Sequence, residues 1–267
     1  MKSGAGAGTS WRVHLEWWIY PILFVVALVA GLVDAVAGGG GLIALPALLT
    51  AGFPVPLALG TNKLQSVFGS SMATWHYSRS GVIDWRACRF GIAVTFFGAL
   101  AGAWTVQRID ASLMAQFIPW LLAAIFFYTL FRPHLGSEKR PAKMSAPAFF
   151  VVAGLGLGFY DGFFGPGTGS FWTVALVLVL GQDFLGATGH TKVMNATSNF
   201  ASVLIFVGAG KVDWLAGGIM AGGQIAGARI GAGLVVKKGA RFIRPVFLTM
   251  VALTIARLAY VALTRTP

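Results

Sequence analysis

The chain has 267 residues, of which 57% are hydrophobic and only 10% charged; a soluble domain carries about 25% charged residues, so this chain lacks the charge to cover a surface facing water, and it is too hydrophobic to be intrinsically disordered. Twenty Lys and Arg against eight Asp and Glu give a net charge of +12, but the basic residues fall in short gaps between apolar runs. That is the pattern of loops facing anionic lipid, not of a nucleic-acid surface, and the single cysteine, Cys88, excludes an intrachain disulfide.

A transmembrane helix needs about 20 mostly apolar residues. Runs of that kind are predicted at 17–37, 57–77, 90–106, 113–131, 146–164, 187–207, 214–236 and 245–263, which makes eight spans. Residues 1–16 and 264–267 are tails. Two further runs, 42–51 and 170–181, are too short to cross alone, and each follows a glycine cluster. They read as half-spans, the second limb of a broken or re-entrant hairpin, which membrane depth tolerates only where protein or a watery cavity surrounds the backbone. The first apolar run has the basic flank of a signal peptide in Lys2 and Arg12. We read it as a span, because the chain contains a counterpart of it.

That counterpart belongs to an internal repeat. Gly31 to Asp34 followed by Gly38, Gly40 and Gly41 corresponds to Gly158 to Asp161 followed by Gly165 and Gly167. Thr61-Asn62-Lys63 corresponds to His190-Thr191-Lys192, Asp84-Trp85 to Asp213-Trp214, and Gly98 with Gly102 to Gly227 with Gly231. The first repeat is placed at 17–131 and the second at 146–263, joined by the basic linker 132–145. Basic loops at 79–89, 132–143 and 237–244 hold eleven of the sixteen basic residues outside the spans. They fall on one side whether the repeats are parallel or inverted. Residues 17–51 are too many for one crossing and favour a hairpin, hence inverted repeats.

Two polar constellations interrupt the apolar helices. The first is the pair of glycine clusters, Gly38 to Gly41 and Gly165-Pro166-Gly167-Thr168-Gly169. Each reads as a tight hairpin or as the wall of a binding site. In the second case the helix starts at Gly39, Gly40 and Gly41, and at Gly167, Thr168 and Gly169, offer unpaired N–H groups to an anion. The second constellation is a pair of stripes: Thr61, Asn62, Lys63, Gln65, Ser66 and Ser70, then His190, Thr191, Lys192, Asn195, Ser198 and Asn199. Lys192, Asn195 and Asn199 share one helix face by spacing. A lysine within a span is a functional candidate by default, the alternative being that Lys63 and Lys192 snorkel to headgroups. Asp34 and Asp161, each one turn before a glycine cluster, are candidates for pairing with the lysines, for capping a backbone break, or for carrying a coupled proton. His190 is a candidate for hydrogen bonding or for a proton-linked role. Asp84-Trp85 and Asp213-Trp214 read as helix caps with interfacial aromatics. The Gly-x-x-x-Gly pairs read as sites of close helix approach, and Arg229 as a pairing residue. His14, His76 and His134 lack metal-ligand spacing, and no cofactor is expected.

The element from Asp34 to Gly41, Ala44-Leu45-Pro46, Thr61-Asn-Lys-Leu-Gln65, Tyr160-Asp-Gly-Phe-Phe-Gly-Pro166 and Thr191-Lys-Val-Met-Asn195-Ala-Thr-Ser-Asn199 resemble the TSUP family, also called the sulfite exporter TauE/SafE family, and within it the glycine-rich members described as probable membrane transporters. The resemblance covers 17–263. It implies a multi-pass protein of the cell membrane, a bacterial inner membrane, moving sulfur-containing anions such as sulfite or organosulfonates. His190 stands where many members carry a small or hydroxylated residue.

Three functions follow. The first is a secondary transporter of a small anion, with alternating access as one half rocks against the other and possible proton or sodium coupling. The second is an anion channel of similar architecture. The third, remote, is an intramembrane enzyme built on Ser170 and His190, for which no carboxylate completes a triad. Nothing indicates a nucleotide-driven motor or a nucleic-acid partner, so the expected partners are the bilayer and a small anion. The sequence is silent on oligomeric state.

Overall fold

The computed structural model describes residues 15–108 and 140–239, with Pro245 and Thr249 beyond them. The span expected at 113–131, all but Pro245 and Thr249 of that at 245–263, residues 1–14 of the tail expected at 1–16, the tail 264–267 and most of the linker lie outside the described residues. Among those described, the chain is all helix. Two quartets follow one another: α1 (Ile19–Ala37), α2 (Gly41–Thr50), α3 (Val55–Arg79) and α4 (Trp85–Val106), then α5 (Ala146–Phe163), α6 (Thr168–Val179), α7 (Phe184–Gly208) and α8 (Trp214–Lys238). Each quartet runs long, short, long, long, the short helices having 10 and 12 residues.

The ends of these helices follow from local chemistry. Gly38 closes α1 in the left-handed region at φ 76°, where its N–H donates to the Asp34 carbonyl, and Gly167 opens α6 at φ 86°. Both conformations are costly for any residue with a Cβ. Asp84 accepts the Arg86 and Ala87 N–H groups at the start of α4, and Asp213 accepts that of Ala216 at the start of α8, each satisfying donors that a helix start leaves orphaned.

Four helices, α1, α4, α5 and α8, are long and apolar enough to cross a membrane. Two others, α3 and α7, have 25 residues each but carry the polar stripes. Large apolar side chains point outward along α1 (Val25, Val29), α4 (Phe97, Trp104), α5 (Val151, Val152, Leu155) and α8 (Leu215, Ile230). Such a surface is far more apolar than a monomer in water tolerates.

The packing crosses the two quartets. Helix α8 lies along α1 and α3, while α4 lies along α5 and α7, so the fourth helix of each quartet is exchanged for the other's. The glycines of the Gly-x-x-x-Gly pairs make this possible. A Cβ on Gly98 would lie 2.8 Å from the Gly154 carbonyl oxygen, and one on Gly227 would lie 2.8 Å from the Leu32 nitrogen. Backbones that close leave no room for a side chain, and dispersion and Cα–H contacts hold the pair together. Two buried apolar clusters result. One centres on Trp172, Tyr77, Phe149, Phe150 and Phe184. The other centres on Leu23, Leu48, Leu57 and Phe206.

Candidate functional site

The two helix breaks meet. A Cβ on Gly38 would lie 2.5 Å from Gly169 Cα, and one on Gly169 would lie 2.5 Å from Gly38 Cα, so the backbones are in direct contact. Ser170 Oγ donates to the Ala37 carbonyl at 2.9 Å across the same junction, and Thr173 Oγ1 returns to the Gly169 carbonyl. A polar cavity of about 30 Å³ opens beside this contact, room for about two water molecules.

The cavity takes residues from both quartets. The α1–α2 break gives Asp34, Gly38, Gly40 and Gly41, and α3 gives Asn62, Lys63 and Ser66. From the second quartet, α5 and its break give Asp161, Gly165 and Gly167, α6 gives Thr168 and Gly169, and α7 gives Asn195 and Asn199. Helix α8 contributes Gln224, which lies close against Gly31 and Gly69.

Two ion pairs cross the quartets reciprocally. Lys63 Nζ donates to Asp161 Oδ1 at 2.6 Å, and Lys192 Nζ donates to Asp34 Oδ2 at 2.9 Å. The lysine side chains are 2% and 0% exposed, so neither reaches for a headgroup. The remaining carboxylate oxygens are also engaged. Ser198 Oγ donates to Asp161 Oδ2, and the Gly40 N–H donates to Asp34 Oδ1 at 3.2 Å. A buried charge without such partners is very costly in low dielectric. Within each pair, the cation comes from the third helix of one quartet and the anion from the first helix of the other.

Several residues proposed from the sequence lie elsewhere. Thr61 and His190, equivalent in the repeat, do equivalent work away from the cavity. Thr61 Oγ1 accepts the Asp213 N–H at 3.0 Å, and His190 Nε2 accepts the Asp84 N–H at 3.1 Å. Each therefore holds the capping residue of the other quartet's fourth helix. The bond requires His190 Nε2 to be without a proton, so Nδ1 is the donor to Gln182 Oε1, 2.8 Å away. Thr191 Oγ1 meets Thr173 Oγ1 at 3.1 Å, behind the break. Gln65 donates to Asn62 Oδ1 at 2.8 Å and orients that amide without lining the cavity. Gly39 lies in the first break but not on the cavity wall, and Lys192 reaches the cavity only through Asp34. Arg229 is exposed on α8. Gln224 was missed, because a lone glutamine in a glycine-rich helix gives no periodic signal. Among the described residues, no cluster of His, Cys, Asp and Glu could hold a metal ion.

Comparison with known proteins places the chain. Residues 23–258 match the family described as Sulfite exporter TauE/SafE. The chain is 44% identical over 239 residues to the probable membrane transporter protein YfcA of Escherichia coli K12, covering 90% of this chain and 89% of that one. It is 43% identical over 239 residues to a probable membrane transporter protein of Haemophilus influenzae, covering 90% and 94%. A Sinorhizobium relative, the probable membrane transporter protein ORF9, is 38% identical over 246 residues, covering 92% and 94%. No solved structure matches the chain. With its apolar outer faces it is a membrane protein, and it belongs to the sulfite exporter TauE/SafE family.

Proposed function

We propose that the protein is a multi-pass secondary transporter of the cell membrane that carries small anions, sulfur-containing ones such as sulfite or an organosulfonate, through the cavity between its two quartets. The observation that carries this reading is the reciprocal pair of buried Lys–Asp bridges beside two touching helix breaks. Purely structural packing in lipid has no use for four buried charges, since apolar side chains would fill the same space more favourably. The lysines, the Asn62 and Asn195 amides and the Gly41 and Gly169 N–H groups, which line the cavity at the starts of α2 and α6, would supply donors to an oxyanion. A sulfite or sulfonate group has at least four heavy atoms, more than the room for about two waters, so this reading requires the cavity to widen when substrate enters.

We read the two quartets as inverted repeats. The matching order of helix lengths supports the duplication, and the hairpin is supported by the buried cluster that unites Leu23, near the start of α1, with Leu48, near the end of α2. Such repeats place a site at their interface and expose it to each side in turn.

The test is flux of sulfite and a panel of sulfonates into liposomes containing the protein. Lys63→Ala and Lys192→Ala are expected to lower transport at least tenfold. Unchanged flux in both variants would remove the site assignment, and large single-channel currents in place of saturable flux would replace the transporter with a channel.

A further inference from the structure

The cavity is electrically balanced when empty, and this dictates what must accompany an anion. Lys63 and Lys192 face Asp161 and Asp34, so the four charges sum to zero. Among the described residues that line the cavity, an entering monoanion has no free cation to meet. To take a lysine it must displace a carboxylate, leaving two negative groups against one positive in a low-dielectric site. A proton on the displaced carboxylate restores neutrality.

The two bridges are not equally sealed. The Asp161 side chain is 5% exposed and holds both Lys63 and the Ser198 hydroxyl. The Asp34 side chain is 19% exposed and holds Lys192 and the Gly40 N–H of the first break. The groups facing Asp34 are few. Helix α7 presents Lys192, and α3 presents Tyr77, whose hydroxyl is committed to the Ala35 carbonyl at 2.8 Å. Helix α8 presents the neutral Gln224, α6 presents backbone at Gly169, and Lys63 with Asp161 faces the same cavity as a closed pair.

Resting on the transporter reading above, we propose that Asp34 is the proton carrier that couples the protein to a proton gradient: each monoanion is carried with one proton. The proton binds an Asp34 oxygen from the aqueous side, the Asp34–Lys192 bridge opens, and the Lys192 ammonium, still charged, binds the anion. On the far side the anion and the proton leave together, and the bridge closes again. One negative and one positive charge cross, so the step is electroneutral.

The experiment uses the full-length protein in liposomes with an entrapped pH dye. The probes are methanesulfonate and, at a mildly acidic pH, hydrogensulfite, so that both are monoanions. The wild type is expected to import one proton per anion, to accumulate anion about tenfold per unit of imposed pH gradient, and to ignore an imposed potassium-diffusion potential. Asp34→Asn mimics the protonated carboxyl. Its uptake is expected to lose the proton, and to become driven by an inside-positive potential, because the anion now crosses alone. A purely structural Asp34 would not move charge per anion in this way. Should Asp34→Asn carry nothing, the wild-type proton count decides alone. Uptake by the wild type without protons, or proton import retained in Asp34→Asn, overturns the inference while leaving the transporter reading intact. Absence of uptake of either probe by the wild type refutes the transporter reading and this inference with it.

Discussion

The contact between the two helix breaks can be measured with four glycine-to-alanine variants, because the structure separates the two penalties that a new methyl incurs. At Gly218, exposed in α8, an added Cβ meets nothing within 4 Å and φ is not positive, so Gly218→Ala is expected to be neutral or to gain up to about 1 kcal/mol. Gly52 also has open space, but its φ is +94°, and Gly52→Ala is expected to cost about 1–2 kcal/mol for the left-handed backbone alone. Gly169 lies in helix α6, where the Cβ would come 2.5 Å from Gly38 Cα and 2.8 Å from Asn195 Nδ2; backbone cannot swing aside as a flexible side chain can, and such overpacking costs about 1–3 kcal/mol. Gly38 incurs both penalties, with φ +76° and Gly169 Cα at 2.5 Å, so Gly38→Ala should cost about 2–5 kcal/mol. Unfolding of the purified protein in mixed detergent micelles gives the four values on one scale. If Gly38→Ala were no more destabilising than Gly52→Ala, the two breaks would not touch, and the cavity built beside them would lose its wall.

Two further outcomes follow from the same geometry. His190→Gln can place an amide oxygen near where Nε2 stands, so it should retain transport and cost no more than about 1 kcal/mol, whereas His190→Ala leaves both the Asp84 N–H and Gln182 Oε1 without this partner and should cost about 1–2 kcal/mol by the same unfolding assay. A proton-carrying His190 would instead lose gradient-driven uptake in both variants. Cys88, the single cysteine, is 0% exposed in the folded chain, so a maleimide reagent should leave the native protein unlabelled and modify it stoichiometrically in SDS; rapid native labelling would show that α4 does not sit against α5 and α7 as described.

Much of this architecture can be read from the sequence wherever punctuation is strong. The half-spans expected at 42–51 and 170–181 appear as Gly41–Thr50 and Thr168–Val179, because glycine clusters fix their starts and leave little room for error. The run expected at 90–106 begins earlier, at Trp85. Arg86 and Arg89 lower the hydropathy of its first turns, yet the Asp84 cap starts the helix regardless of apolarity. The lining of the candidate cavity was legible in its charges, since Lys63, Asp34, Asp161 and the glycines stand out against apolar neighbours. It was not legible in its pairing: repeat alignment shows which residues are equivalent, not which of them meet. Thr61 and His190 sit beside lysines in sequence, but the helix turns them toward the opposite quartet's caps. Gln224 and the exchange of α4 and α8 depend on long-range packing, which leaves only a scatter of glycines in the sequence.

That exchange bears on how the cavity can open. A rocking of one half against the other, the simplest motion for a duplicated chain, would pull α8 from α1 and α4 from α5. Those are the seams where added Cβ atoms at Gly227 and Gly98 would lie 2.8 Å from opposing backbone, and close-packed seams resist sliding because every contact is lost at once. In the proposed alternating-access cycle the moving units would be mixed ones, α1, α2 and α3 with α8 against α5, α6 and α7 with α4, and the α3–α7 packing between them would have to slide. Both Lys–Asp bridges span the boundary between these bodies, since Lys63 and Asp34 belong to one and Asp161 and Lys192 to the other. An opening along that boundary would stretch at least one bridge, and a proton on its carboxylate, as proposed above for Asp34, would lower the cost of the stretch in a low dielectric. In the proposed transport cycle the charge switch and the mechanical boundary would be the same pair of residues, tying the binding of anion and proton to the motion.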